Sequence, residues 1–222
     1  MSISKNITTL IKDIPDYVQL VAVSKTKSNE EIMQAYHAGQ RIFGENKIQD
    51  MTRKHEELPK DIQWHMIGHV QSNKVKYMAS YVRLIHGIDS LKLLKEINKQ
   101  AQKNNRIIDC LLQIHIAEEE SKFGLSVDEC QQAIERAKDL PHIQIKGLMG
   151  MATFTENQNQ IAKEFEGLKN LYDQLIKQNI PLEILSMGMS GDYHIAFQKG
   201  SNMIRVGSKI FGPRNSWSCT LF

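Results

Sequence analysis

The sequence predicts a parallel (β/α)8 barrel, of the TIM type, preceded by one extra N-terminal helix, and three observations lead there. Eight short apolar runs recur along 222 residues, each the length of a buried strand. Most are separated by segments with helical period and helix-forming composition. No linker, low-complexity tract or composition shift interrupts them, so residues 1–222 are expected to form one domain. Strand and helix alternating about eight times has one favoured closed arrangement. A doubly wound open sheet is the alternative that the pattern leaves.

Taken in order, MSISKNITTLIKDI opens the chain with Ile3, Ile7, Leu10, Ile11 and Ile14 on one helical face. LVAVS (20–24) is the first strand. In SNEEIMQAYHAG, Ser28 caps a helix, Glu31 completes a capping box, and Gly39 stops it. RIFG (41–44), WHMIG (64–68) and VRLIHGI (82–88) are the next three strands. SLKLLKEINKQAQKNN reads as a helix, IIDCLLQIHI (107–116) as a strand and SVDECQQAIERAKDL as another helix. IQIKGLMGM (143–151), the helix NQIAKEFEGLKNLYDQLIKQN, LEILSMG (182–188) and MIRVG (203–207) complete the series.

Composition narrows the function classes. A net charge of +3, with basic and acidic residues interspersed, gives no electrostatic footprint for nucleic acid or a membrane surface. Cys110, Cys130 and Cys219 are widely spaced and make no C-x-x-C pair, which argues against zinc or a disulfide framework and fits a reducing compartment. No apolar stretch approaches the ~20 residues of a membrane span, and the N-terminus lacks a signal-type apolar core, so a cytoplasmic location is expected.

In such barrels the loops at strand C-termini build the site. Polar residues do gather there: Ser24-Lys25 after the first strand, Glu45-Asn46 after the second, His69 with Gln71, Asn73 and Lys74 after the third. SMGMSGD after the seventh strand and RVGSKIFG after the eighth are small-residue loops that offer amides and hydroxyls (Ser186, Ser190, Ser208) to an anion. Turns and caps explain part of that polarity in any such fold. Arg205 goes further, because a guanidinium in an apolar strand is costly unless it is paired or faces a cavity. An amine at the end of one strand, an anion seat across the mouth and an arginine beside it match pyridoxal 5′-phosphate, which carries an aldehyde, a phosphate and a pyridine nitrogen.

The stretches AVSKTK, FGENKIQD, WHMIGHVQSNK, SKFGLS, GLMGMA, LSMGMSGDYHIA and IRVGSKIFG resemble the pyridoxal phosphate homeostasis protein family, single-barrel relatives of the alanine racemase N-terminal domain. The resemblance runs from about residue 20 to 213, in order. It implies that Lys25 is the Schiff-base lysine, that Arg205 lies near the pyridine nitrogen, and that Ser190, Gly207 and Ser208 seat the phosphate. It further implies that Ser186 and Met187 line the same side and that Asn46 lies close to the ring. Small departures occur at Ser28, where proline is common, at Phe197 and Asn202, and in the loop after GLMGMA. An arginine at the ring nitrogen would not keep it protonated, which makes the cofactor a weaker electron sink.

The resemblance implies a carrier acting in intracellular vitamin B6 homeostasis, with delivery to apoenzymes as a further role and no turnover of its own. Related racemases take a tyrosine from a partner's C-terminal β domain, and this chain ends soon after IFGPR; Tyr36, Tyr77 and Tyr193 are the internal candidates for that role. An amino-acid racemase is the enzyme alternative, and an aldolase-type use of Lys25 is a third. Lys122 in ESKFG is either a solvated loop lysine or a second cofactor site. His65 and His69 bracket Met66-Ile67-Gly68, but no third ligand follows at metal spacing. Met149, Met151, Met187 and Met189 read as core filler along strands six and seven. A monomer is expected.

Overall fold

The computed structural model describes residues 2–119 and 123–213. Eight strands, β1 (Gln19–Val23), β2 (Ile42–Glu45), β3 (Gln63–Met66), β4 (Leu84–Ile88), β5 (Ile108–Gln113), β6 (Ile143–Met149), β7 (Ile184–Ser186) and β8 (Met203–Val206), close in chain order. All pairings are parallel, and β1 seals the barrel against β8 with Val21 beside Arg205. The expected parallel (β/α)8 barrel is the observed fold.

Outside it lie α1 (Ile3–Asp13), α2 (Asn29–His37), α3 (Ile48–Glu57), α4 (Leu91–Lys103), α5 (Val127–Ala137), α6 (Gln158–Lys177), α7 (Tyr193–Gln198) and α8 (Ser208–Phe211). The caps read from sequence are in place. Ser28 and Glu31 form a complete capping box on α2, Gly39 follows at φ +99°, and Ser126 and Glu129 repeat the box on α5. The extra helix α1 buries Ile7 and Leu10, and Asn6 donates to the Ile210 carbonyl of α8 (2.9 Å). One connection differs from the alternation: between β3 and β4 the chain forms a 3-10 helix over Ser72–Tyr77. SNKVKY buries only Val75 there, too little apolar face to hold a full α-helix against the barrel.

Strand alternation sorts side chains into two cores. Leu20, Ala22, Phe43, Trp64, Ile85 and Ile204 face the helices in the outer core. Val21, Leu84, Leu111, Met149 and Met203 meet inside the lumen. The same period turns His65 (β3), His86 (β4), Ser186 (β7) and Arg205 (β8) inward, and all four are buried. No helix among the described residues is long and apolar enough to cross a membrane.

Candidate functional site

Each end of the barrel holds a cavity. At the floor, about 630 Å³ is lined by residues including Gln19, His65, Arg83, Asp109 and Lys146. Its charges are met locally, Arg83 by Asp109 (3.8 Å) and Lys146 by Glu183 (2.9 Å). At the mouth, about 650 Å³ is lined by Lys25, Asn46, Ser190, Arg205, Gly207 and Ser208, among others. This end combines an amine, hydroxyls and a buried cation, which makes it the candidate ligand site.

Lys25 follows β1 on a turn that is held from behind. The Ser24 amide donates to the Gly44 carbonyl (3.0 Å), and the Ser24 hydroxyl donates to Glu45 Oε1 (2.6 Å). Lys54 of α3 donates from Nζ to that same Oε1 (2.7 Å) and to the Ser24 carbonyl (2.8 Å), the oxygen of the peptide that joins Ser24 to Lys25. Lys54 and Glu45 are both buried. Burial raises the Glu45 carboxyl above its ordinary value, and Lys54 and Ser24 hold that rise back. Just past Lys25, Thr26 adopts φ +64°, a left-handed backbone that costs a non-glycine residue roughly 1–2 kcal/mol and turns the chain sharply away from the strand. The half-buried Lys25 side chain is thereby left on the cavity wall.

Across the mouth, the loops after β7 and β8 are joined by the Gly207 amide donating to Ser190 Oγ (3.2 Å). Gly188 at φ +98° shapes the first loop: a Cβ there would meet the Ala196 Cβ at 2.5 Å. Beneath these loops Arg205 donates from Nη1 to Ser186 Oγ (2.6 Å) and from Nη2 to the Gly150 carbonyl (3.1 Å). Both acceptors are neutral, and no salt bridge among the described residues engages Arg205. Burial lowers its guanidinium to about 10 against the opposing effect of the Asp192 carboxylate, which also lines the mouth cavity, and this leaves it charged at neutral pH. Ser186 Oγ lies 3.1 Å from His86 Nδ1, and His86 Nε2 lies 3.0 Å from His65 Nδ1. Burial pushes His65 down to about 3 and His86 well below its usual range, so both rings are neutral. The lumen therefore carries a polar chain with one charge, on Arg205.

Six of the eight expected site residues meet on the mouth cavity: Lys25, Asn46, Ser190, Arg205, Gly207 and Ser208. Ser186 lies one layer deeper and reaches the cavity through Arg205. Met187 turns the other way, because the alternation that points Ser186 inward sends Met187 into the outer core, so its side chain does not line the site. Met189 is not core filler; it is partly exposed at the mouth. Lys122 lies outside the described residues. His65 and His69 do not converge: His65 bonds to His86, whereas His69 Nδ1 lies 2.8 Å from Asp89 Oδ2 and its ring stacks on Phe123. No group of three potential metal ligands occurs among the described residues. Lys54 and His86 escaped sequence reasoning. The signal for Lys54 was its spacing, three and six residues after Met51 and Ile48 on the buried face of α3. For His86 it was alternation with Leu84, which also faces the lumen.

A closed (β/α)8 barrel with an amine at the end of β1 and hydroxyl-bearing small-residue loops after β7 and β8 defines a class, and the chain matches that class in the family model "Alanine racemase, N-terminal domain" over residues 1–215. Within it, the chain belongs to the pyridoxal phosphate homeostasis protein family. The relative from Aquifex aeolicus carrying that name is 37% identical over 198 residues, covering 88% of this chain and 87% of the relative. Two solved structures of PipY from Synechococcus elongatus, each matching 95% of this chain and 100% of theirs, are similar throughout. The one without PLP has a TM-score of 0.90 at 33% identity, and the one with PLP bound 0.88 at 32%.

Proposed function

We propose that this protein binds pyridoxal 5′-phosphate at the barrel mouth, anchored on Lys25, and acts as a reservoir and carrier of the cofactor without turning over a substrate. One observation bears most of the reading: Lys25 and a buried arginine with only neutral hydrogen-bond partners share one cavity. Burial opposes that charge while the Asp192 carboxylate of the same cavity supports it electrostatically, and a ligand that brings further negative charge to the guanidinium would add to that support. The donor set fits this cofactor. An amine would meet the aldehyde, Ser190, Ser208 and the Gly207 backbone would offer hydroxyls and an amide to the phosphate, and Arg205 and Asn46, on the same cavity, would meet the ring. A cavity of about 650 Å³ has room for it. The family name and the PLP-bound PipY structure point to the same ligand.

When bound, the cofactor supplies an aldehyde reactive toward amines and a ring that withdraws electrons. The chain's own residues hold it rather than move protons on it. A racemase needs an acid or base on the face opposite the lysine, and the tyrosines weighed for that role are engaged elsewhere: Tyr36 with Asp61, Tyr193 with Asp13, and Tyr77 on the 3-10 helix. His69 reaches the cavity but is tied to Asp89. A carrier of this kind keeps a reactive aldehyde sequestered and releases it to apoenzymes through transient contacts.

Spectroscopy and exchange test the two halves. Adding pyridoxal phosphate to the purified protein is expected to produce a visible absorption band that Lys25→Ala abolishes, with no exchange of amino-acid Cα protons into deuterated water above the free-cofactor rate. A spectrum equal to the sum of free cofactor and protein would end the binding reading, and enzyme-like exchange would end the carrier reading.

A further inference from the structure

The lumen chain has a single consistent direction, and its far end matters to the mouth. Arg205 cannot accept a hydrogen bond, so Ser186 Oγ accepts from it (2.6 Å) and must send its own hydrogen elsewhere. His86 Nδ1, at 3.1 Å, is the acceptor in place. A protonated Nδ1 there would leave the serine hydrogen buried and unpaired, at a cost of about 1–3 kcal/mol. With Nδ1 bare, neutral His86 carries its proton on Nε2, which then donates to His65 Nδ1 (3.0 Å). His65 in turn carries its proton on Nε2. Since His65 lines the floor cavity, that last donor reaches solvent at the opposite end of the barrel. Every polar group in the chain is satisfied in this arrangement.

We propose that His86 is a positioning residue for Arg205: by accepting the Ser186 hydroxyl proton, it turns the serine oxygen's lone pairs toward the guanidinium and fixes where Arg205 meets the ligand. The relay fixes the polar chain of the lumen as two Nε2–H imidazoles, one serine and one arginine, ordered from floor to mouth. Two of the five guanidinium N–H groups are held by Ser186 and Gly150, which orients the planar fork. The inference rests on the reading that pyridoxal phosphate binds at the mouth, but its first test does not need the ligand.

Nitrogen-15 NMR of the ligand-free protein reads the tautomers directly. Both His65 and His86 are expected with a protonated Nε2 and a bare Nδ1; a protonated Nδ1 on His86 would overturn the relay. The second test compares His86→Asn, whose side-chain oxygen stands near the position of Nδ1, with His86→Leu, which has no acceptor. The leucine variant is expected to bind pyridoxal phosphate about tenfold more weakly with a shifted visible band, and asparagine to restore both. Ligand-free circular dichroism establishes that each variant is folded. Equal behaviour of two folded variants would overturn the positioning role. Should leucine not fold, Ser186→Ala takes its place: the relay predicts the same weakening and band shift, and unchanged values would overturn it. If the wild-type protein shows no band, the binding reading fails while the tautomer result stands on its own.

Discussion

Two buried polar assemblies stand on either side of β1, and they treat charge in opposite ways. Behind the strand, Lys54 and Glu45 neutralise each other at 2.7 Å and close on the Ser24 carbonyl and hydroxyl. Inside the barrel, Arg205 keeps its charge among Ser186, a backbone carbonyl and two neutral imidazoles. The paired assembly lines neither the floor nor the mouth cavity and shapes the backbone that presents Lys25. The unpaired one faces the mouth, where its charge has somewhere to act. Burial alone does not mark function here; one buried charge is closed by a direct ion pair, whereas the other has neutral hydrogen-bond partners and only the electrostatic support of Asp192 at the cavity.

The largest effect expected from breaking this contrast is on the paired side. Glu45→Leu alone strands a buried ammonium and should cost about 3–5 kcal/mol of stability in denaturant titrations, whereas Glu45→Leu combined with Lys54→Met should recover most of it. An equal loss in the single and double variants would mean that the ion pair itself, rather than its imbalance, holds the fold.

The lumen predicts a pH signature next. His65 and His86 stay neutral in the folded protein, His65 to about 3, while in the unfolded chain both titrate near about 6.5. Below that value the unfolded state binds more protons. The contribution is therefore fully present above about 6.5 and is lost as pH falls toward 3, with a slope approaching about 2.7 kcal/mol per pH unit for two histidines. His86→Asn should roughly halve that slope in pH-dependent unfolding.

Arg205→Met separates scaffold from site most clearly. Removing a cation that has no direct ion pair and whose burial is itself unfavourable should move stability by no more than about 1 kcal/mol, yet weaken pyridoxal phosphate binding by about 10- to 100-fold, measured by spectral titration. Smallest of all, Ser190→Ala should lower affinity about fivefold, since the Gly207 amide and Ser208 remain.

Much of this was legible in the sequence, for physical reasons. Strand period, helix caps and the position of Lys25 after LVAV follow from local chemistry, and the observed strands overlap every apolar run. The rule that strand C-termini build the site pointed to the loops carrying Lys25, Asn46, Ser190, Arg205, Gly207 and Ser208, and the family resemblance singled out Asn46 and Gly207 and added a role for each residue. What stayed hidden depended on side-chain direction and on distant pairing. Met187 and Ser186 are neighbours in sequence, and only the register of β7 sends one outward and the other inward. Lys54 reads as an ordinary charge in IQDMTRKHEE until α3 is docked on the barrel and its face with Ile48 and Met51 proves buried. His86 sits 100 residues from Ser186, beyond the reach of any local pattern.

On the proposed function, Lys25 is the amine that bonds the cofactor aldehyde, on the same cavity as Arg205 and the loops after β7 and β8. Incubating the wild-type protein with pyridoxal phosphate, reducing with borohydride and mapping the modified peptide by mass spectrometry tests that directly. A stoichiometric label on Lys25 is the predicted result. A label on Lys27, Lys54 or Lys209 in its place, or no label at all, would contradict it.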